Sequence, residues 1–150
     1  MISTKGRYAL RFIIDLAEHP EDAPVPLDEI ASRQEISKKY LENVVKILVK
    51  GKLVKGTSGK GGGYRLLRKP DEYTVGEVLE LAEGTLAPVA CLAKDAEPCE
   101  RAPFCKTLPL WKKYHQMQQD FFFGITVKDL IDGSVDTDSV IQFASAGAPV

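Results

Sequence analysis

A chain of 150 residues, 44% hydrophobic and 27% charged, is long enough for one packed core with a small appendage, and its composition is that of a soluble globular protein. No apolar run approaches the length of a membrane span, and Lys5, Arg7 and Arg11 stand where a signal peptide would carry its apolar region, so a cytoplasmic protein with no membrane partner is expected. The net charge of −1 argues against a nucleic-acid partner only until it is divided along the chain: residues 33 to 69 hold eleven Lys or Arg against Glu35 and Glu42, a net of +9, whereas residues 70 to 105 hold two basic and eight acidic side chains, a net of −6.

The first helix is expected over roughly Thr4 to Glu18. Ala9, Leu10, Phe12, Ile13, Ile14, Leu16 and Ala17 make it apolar on more than one face, so it should be buried from two sides, one against the next helices and the other against a partner subunit. A polar loop with Pro20 and Pro24 follows, and Pro26 suits the start of a second helix in which Leu27, Ile30 and Ala31 share a face. After a Glu35-Ile36 corner, Ser37 offers an N-cap to a third helix whose apolar residues Tyr40, Leu41, Val44, Val45 and Leu48 keep the same period. Gly51 is a good helix terminator. Leu53-Val54 and Tyr64-x-Leu66 are short strand candidates around the run Ser58-Gly59-Lys60-Gly61-Gly62-Gly63. Two helices over a tight corner followed by a glycine-tipped hairpin form the winged-helix pattern. The expected fold is therefore mainly α with a small β-hairpin, a winged helix-turn-helix over residues 1–84.

The basic segment coincides with that pattern, which is what a DNA-reading face requires. The first turns of the third helix should enter the major groove, bringing Ser37, Lys38, Lys39, Tyr40 and Glu42 to base edges or flanking phosphates, with Lys46 behind them. Lys60, Gly61, Gly62 and Tyr64 belong to the wing, where a flexible tip suits a sugar-phosphate chain or a minor groove. The hairpin fits no nucleotide-binding template, because Lys60 is followed by glycine and not by Ser or Thr, and Tyr64 stands where a dinucleotide fingerprint needs glycine. Glu42 weakens phosphate attraction, so it belongs where it can accept from a cytosine amino group, or else it pairs with Lys46 one turn on.

Thr74-Val75-Gly76-Glu77 is a capping box that opens a fourth helix ending at Gly84. Residues 85–107 have three prolines, no periodicity and all three cysteines, which marks a functional loop. Cys91, Cys99 and Cys105 are soft donors for iron-sulfur or zinc, one short of a closed site. His115, Asp95, Glu97, Glu100, a residue of the partner's first helix or a small exogenous molecule could complete it, and three unrelated thiols remain the plain alternative. His115 itself suits packing better than ligation. From Leu108 a long helix carries Trp111, Tyr114, Met117, Gln118, Phe121 and Phe122, more aromatic surface than a completed core can absorb, so residues 108–133 are expected to hold a dimerisation helix and a short last helix capped by Thr126. Residues 134–150 read as a flexible tail. No nucleophile and base are paired near the cysteines, and only two histidines occur, so an enzyme is not expected.

Several stretches together resemble the Rrf2 family of bacterial winged-helix transcription regulators, which includes IscR, NsrR and CymR. They are Ser3-Thr4-Lys5-Gly6-Arg7-Tyr8-Ala9, Pro24-Val25-Pro26-Leu27, Ile36-Ser37 with Tyr40-Leu41-Glu42, Gly61-Gly62-Gly63-Tyr64, Val75-Gly76-Glu77-Val78, the three-cysteine loop and Leu110-Trp111. The likeness covers about residues 1 to 132 and is nearest to IscR-like members. It implies a homodimer that binds a double-stranded operator, with long helices crossing at the dimer interface. It also implies an iron-sulfur cluster on Cys91, Cys99 and Cys105, of the 2Fe-2S type in preference to 4Fe-4S. Where IscR-like proteins carry a histidine three residues beyond the last cysteine, this chain has Leu108, and where nitric-oxide-sensing relatives have a carboxylate on the first helix it has Arg7. A cluster-free member regulated by a partner protein or small molecule, as CymR relatives are by a cysteine-biosynthesis enzyme, or a member with structural zinc, stays as the alternative.

Overall fold

In the computed structural model, residues 1–135 are described. Helices α1 (Thr4–Ala17), α2 (Leu27–Gln34) and α3 (Lys38–Lys50) precede a hairpin of β1 (Val54–Thr57) and β2 (Gly63–Leu66). Helices α4 (Val75–Glu83), α5 (Leu108–Phe123) and α6 (Val127–Asp132) follow. The flexible tail expected over 134–150 lies, from residue 136 on, outside the described residues. No helix among the described residues is long and apolar enough to cross a membrane.

The caps form as their residue types require. Ser37 Oγ accepts from the Tyr40 N–H at 3.4 Å and Thr126 with Asp129 closes a reciprocal capping box, whereas the box expected at Thr74 is half-formed: Thr74 Oγ1 accepts from the Glu77 N–H at 3.1 Å, but the Glu77 carboxylate turns to Arg68 at 2.6 Å. Glu35 turns the corner between α2 and α3 in the left-handed conformation, φ 53°, and buries Ile36 after it. Gly51 caps the end of α3 as expected, with a φ of −77°, and Lys52 after it takes the left-handed position. A Cβ at Gly51 would lie 2.2 Å from a Leu81 methyl, so a larger residue there must push the Leu81 side chain aside. β1 begins at Val54, one residue later than expected.

The core gathers Phe12, Ile13, Ile30, Leu41, Val44, Leu48, Tyr73 and Val78 at or near zero exposure. The second side of α1, expected to meet a partner subunit, is covered by the same chain, because α4 and α6 both pack on it and Leu10 joins a smaller cluster around Val75, Leu79 and Leu86. Its N-terminus is secured by Glu83, whose Oε1 accepts from the Ser3 N–H and hydroxyl (2.9 and 2.8 Å) and the Gly6 N–H (3.1 Å). Asp15 is the one buried charged residue of the described chain. Its carboxylate receives Arg33 (2.8 and 3.2 Å) and Gln34 Nε2 (2.8 Å), while Arg11 reaches the Gln34 side chain and carbonyl. These bonds fix the end of α2, and hence the turn into α3, against α1.

The wing is held from both sides. β1 and β2 pair antiparallel from Val54↔Leu66 to Thr57↔Gly63, and Val25 adds a bridge, exchanging two 2.8 Å bonds with Tyr64. Glycine at 63 makes that approach possible, since a Cβ would fall 2.4 Å from the Val25 carbonyl carbon and oxygen. Beneath the hairpin, the fully buried Tyr73 hydroxyl donates to the Leu53 carbonyl (2.6 Å) and accepts from the Leu67 and Arg68 N–H groups (2.9 and 3.0 Å).

Candidate functional site

The apolar positions Leu41, Val44, Val45 and Leu48 seat α3 in the core, which leaves Lys39, Asn43, Lys46 and Lys50 as one exposed stripe at spacings of 4, 3 and 4. Lys39 and Lys46 are expected there. Asn43 and Lys50 are additions, and the same periodicity that placed the buried face would have found them. Ser37 sits at the entry of the helix with its hydroxyl turned to the cap, and Lys38, Tyr40 and Glu42 are exposed beside it.

Two of these side chains have partners that sequence spacing does not reveal. Lys38 Nζ donates to both Asp28 carboxylate oxygens, at 2.8 and 3.0 Å, and this hydrogen bond with its charge raises the ammonium above the ordinary lysine range. Tyr40 meets the Tyr8 ring edge-on, centroids 5.4 Å apart, and Arg11 lies over Tyr8 on α1. The pair of Glu42 with Lys46 is not formed; Glu42 makes no ion pair among the described residues.

An open cleft separates α3 from the wing, with Lys46, Val49 and Lys50 on one wall and Thr57, Ser58, Gly62 and Tyr64 on the other. At the tip, Gly59 and Gly61 take positive φ values of 90° and 76°, leaving Lys60 exposed between them. Lys46 and Lys50 on the α3 wall suit the cleft to a polyanionic backbone, and Glu42 and Asn43, exposed beside them, carry a carboxylate and an amide that can read base edges.

The cysteines occupy a second site. Cys91 sits in the short helical turn Ala90–Leu92, and Cys105 directly follows the turn Ala102–Phe104. With Cys99 they line one cavity of about 210 Å³, shared with Glu97 and with Leu108 and Lys112 of α5. The Cys105 thiol is lowered by hydrogen bonds with the Thr107 hydroxyl and backbone, against a smaller effect of desolvation, and Arg101 adds to the lowering. Low thiol values favour the thiolate, which is the ligating form. Among the described residues no three His, Cys, Asp or Glu side chains converge closely enough to hold a metal ion. Three thiols around one cavity are the donor type that iron-sulfur centres and zinc both take, but here they stand apart. His115 does not line this cavity.

Helix α5 touches the rest of the chain through its end. Phe123 rests on Gly76, and Phe122 packs with the Val75, Leu79 and Leu86 cluster. Phe122 thus leaves the aromatic face on which spacing had put it. The remaining apolar side chains are open: Leu110 is 61% exposed, Tyr114 50%, Met117 48% and Phe121 49%, again at spacings of 4, 3 and 4.

A family model described as "Iron-dependent Transcriptional regulator", Rrf2, matches residues 2–133. The HTH-type transcriptional regulator IscR of Aliivibrio salmonicida is 38% identical over 130 residues, 87% of this chain and 76% of that protein. Among solved structures, CymR (YrzC), the global cysteine regulator of B. subtilis, superposes with a TM-score of 0.69 at 35% identity, covering 87% of this chain and 95% of the other. The T. potens IscR structure gives a TM-score of 0.70 at 31% identity, over 89% and 88% of the two chains.

Proposed function

This chain belongs to the Rrf2 family of transcriptional regulators, DNA-binding proteins and not enzymes, and on that premise we propose that it is a homodimeric, sequence-specific regulator gated by an iron-sulfur cluster on Cys91, Cys99 and Cys105. The observation that carries the gate is the shared cavity, whose walls join three thiols to the first turns of α5.

In this reading Lys39, Lys46 and Lys50 neutralise phosphates along the major groove, and Lys60 does so from the wing. Glu42 and Asn43 read bases, the carboxylate accepting from cytosine and the amide pairing with adenine. The open stripe of α5 meets its counterpart on a second copy, in the manner of a short coiled coil, and sets the spacing of two half-sites. A DNA regulator acts where the chromosome is, in the cytoplasm.

The cluster would supply a labile, redox-responsive centre. Residues of the chain transmit its presence: the loop that carries the cysteines leaves α4 at Gly84 and enters α5 at Leu108, so ordering it acts on the dimer helix and the winged domain together. A ligand shifts such an equilibrium only by its differential affinity for the two arrangements, and about 1–3 kcal/mol changes operator occupancy some five- to hundredfold. The test is operator affinity measured anaerobically for loaded protein, stripped protein and Cys99→Ala. Equal binding by all three, with the visible spectrum of a cluster in the first alone, rejects the gate.

A second reading has its own observation. Cys91 and Cys99 are exposed and, among the described residues, no donor group converges on a metal ion, which suits a cluster-free regulator controlled by a partner protein or small molecule. The colour of anaerobically purified protein separates the two: brown for the first, colourless for the second.

A further inference from the structure

We infer that the outer face of the wing is a second DNA-backbone contact, in which Lys55 and Arg65 hold phosphates flanking the half-site that α3 reads. The inference rests on the DNA-binding reading above and adds to it a surface that this reading leaves unused.

The register of the hairpin places the two cations. Lys55 on β1 stands directly opposite Arg65 on β2. Side chains alternate across a sheet, and the neighbours of this pair settle which face is which. Val54 is buried, Leu66 packs on the core, and Tyr64 meets Phe12 edge-on with centroids 5.9 Å apart, so Lys55 and Arg65 point away from the core. Neither lines the cleft between α3 and the wing, where the hairpin contributes Gly56, Thr57 and Tyr64 instead.

Like charges directly opposite in an antiparallel pair weaken the ladder, and a carboxylate beside them would relieve the repulsion. Glu21, Asp22 and Glu72 border the same surface hollow as Arg65, yet among the described residues no carboxylate comes within ion-pair distance of either cation. The hairpin therefore carries two facing, uncompensated positive charges, and a phosphate oxygen set is a group that can accept from both. The reach fits DNA. A glycine tip seated in a minor groove about 7.5 Å deep leaves the strands of the wing at the groove's rim. Lys55 lies two residues, roughly 7 Å of strand, from Thr57 in the last pair before the tip, a span that a long cationic side chain covers. In that pose the cleft side of the hairpin meets the backbone of one DNA strand and the outer face meets the other, beyond the bases that α3 touches.

A duplex selected by the full chain from a random-sequence pool is used in two forms, one extended by about one helical turn beyond each half-site and one cut at the half-site ends. The double variant Lys55→Gln, Arg65→Gln should bind the extended duplex about tenfold more weakly at low salt, with a salt slope smaller by about two. On the trimmed duplex it should match the unsubstituted protein, and its order of preference among single-base changes should be the same as the parent's. Its melting temperature should be unchanged or raised, because the facing charges are gone, which separates loss of a contact from damage to the wing. Lys55→Arg should keep the parent's affinity and slope. Parental affinity and slope in the double variant on the extended duplex overturn the assignment while leaving the reading by α3 in place. So does a loss of equal size on both duplexes, or one that comes with a lowered melting temperature. If the unsubstituted chain binds no duplex in a salt-dependent way, the DNA reading fails and this assignment with it.

Discussion

Lys38 and Asp28 form an ion pair across the helix-turn-helix, 2.8 Å from Nζ to Oδ1, so the first lysine of α3, the helix proposed to read DNA, is already engaged within the chain. Both groups are exposed, and the pair matters through charge placement more than through stability. Contact with a phosphate requires Lys38 to exchange partners. Asp28→Asn should tighten binding to all duplexes at low salt and steepen the salt dependence by roughly one unit. Titration of one duplex across a salt series measures this; weaker binding by the variant would mean that Asp28 orients Lys38 instead of restraining it.

Tyr73 is expected to govern the wing from below. Tyr73→Phe strands the Leu53 carbonyl and the Leu67 and Arg68 N–H groups, which should cost about 1–3 kcal/mol in denaturant unfolding. Because those groups flank the hairpin, DNA affinity should fall as well. Lost stability with undiminished affinity would show that the wing does not contribute.

Gly63→Ala tests the bridge that ties Val25 to the wing. Its Cβ would meet the Val25 backbone at 2.4 Å, so the Val25–Tyr64 bridge must open, at more than about 1 kcal/mol. Thermal unfolding of Gly63→Ala beside Gly61→Ala, whose Cβ meets nothing within 4 Å, distinguishes close approach from local backbone preference.

The acid limb of stability should depend on Asp15. Burial opposes its charged form, but hydrogen bonds from Arg33 and Gln34, together with the Arg33 charge, outweigh this and hold the carboxyl below the ordinary aspartate range. A carboxylate lowered in the folded state contributes stability that is complete above its unfolded value, about 3.9, and is lost as pH falls through the folded value. Unfolding free energy should therefore drop below about pH 4. Asp15→Ala should be less stable by about 3 kcal/mol at neutral pH, near the low end for a broken buried pair because Arg33 stays half-exposed, and should lose less on acidification. A variant with an acid limb as steep as the parent's would assign that limb to other carboxylates.

Met117→Lys should separate the copies without unfolding either. Met117 is 48% exposed in one chain, so the substitution costs the monomer little, while it puts two charges into the proposed seam. Light scattering should report a monomer with unchanged far-ultraviolet circular dichroism, and binding to a two-half-site duplex should weaken toward that of a single half-site. A persistent dimer places the interface elsewhere.

The elements of this fold are legible because they rest on neighbours in sequence. Ser37, Thr74 and Thr126 cap helices through bonds spanning three residues, and the 3.6-residue period that buries Leu41, Val44, Val45 and Leu48 also exposes Lys39, Asn43, Lys46 and Lys50. The charge segregation and the grouping of three cysteines in one aperiodic loop could likewise be read directly. Tertiary structure decided what depends on residues far apart. Asp15 reads as a single acid on an apolar helix until Arg33 and Gln34 are folded onto it, and Tyr73 reads as ordinary core until its hydroxyl finds three backbone groups. The same holds for the left-handed turn at Lys52, which no local residue type announces. Asp95, Glu97 and Glu100 are chemically alike and within a few residues of one another; only the path of the loop puts Glu97 in the cavity with the cysteines and Asp95 in another. Sequence specifies donors and local conformation, whereas the long-range packing that closes a cavity selects which donors share it.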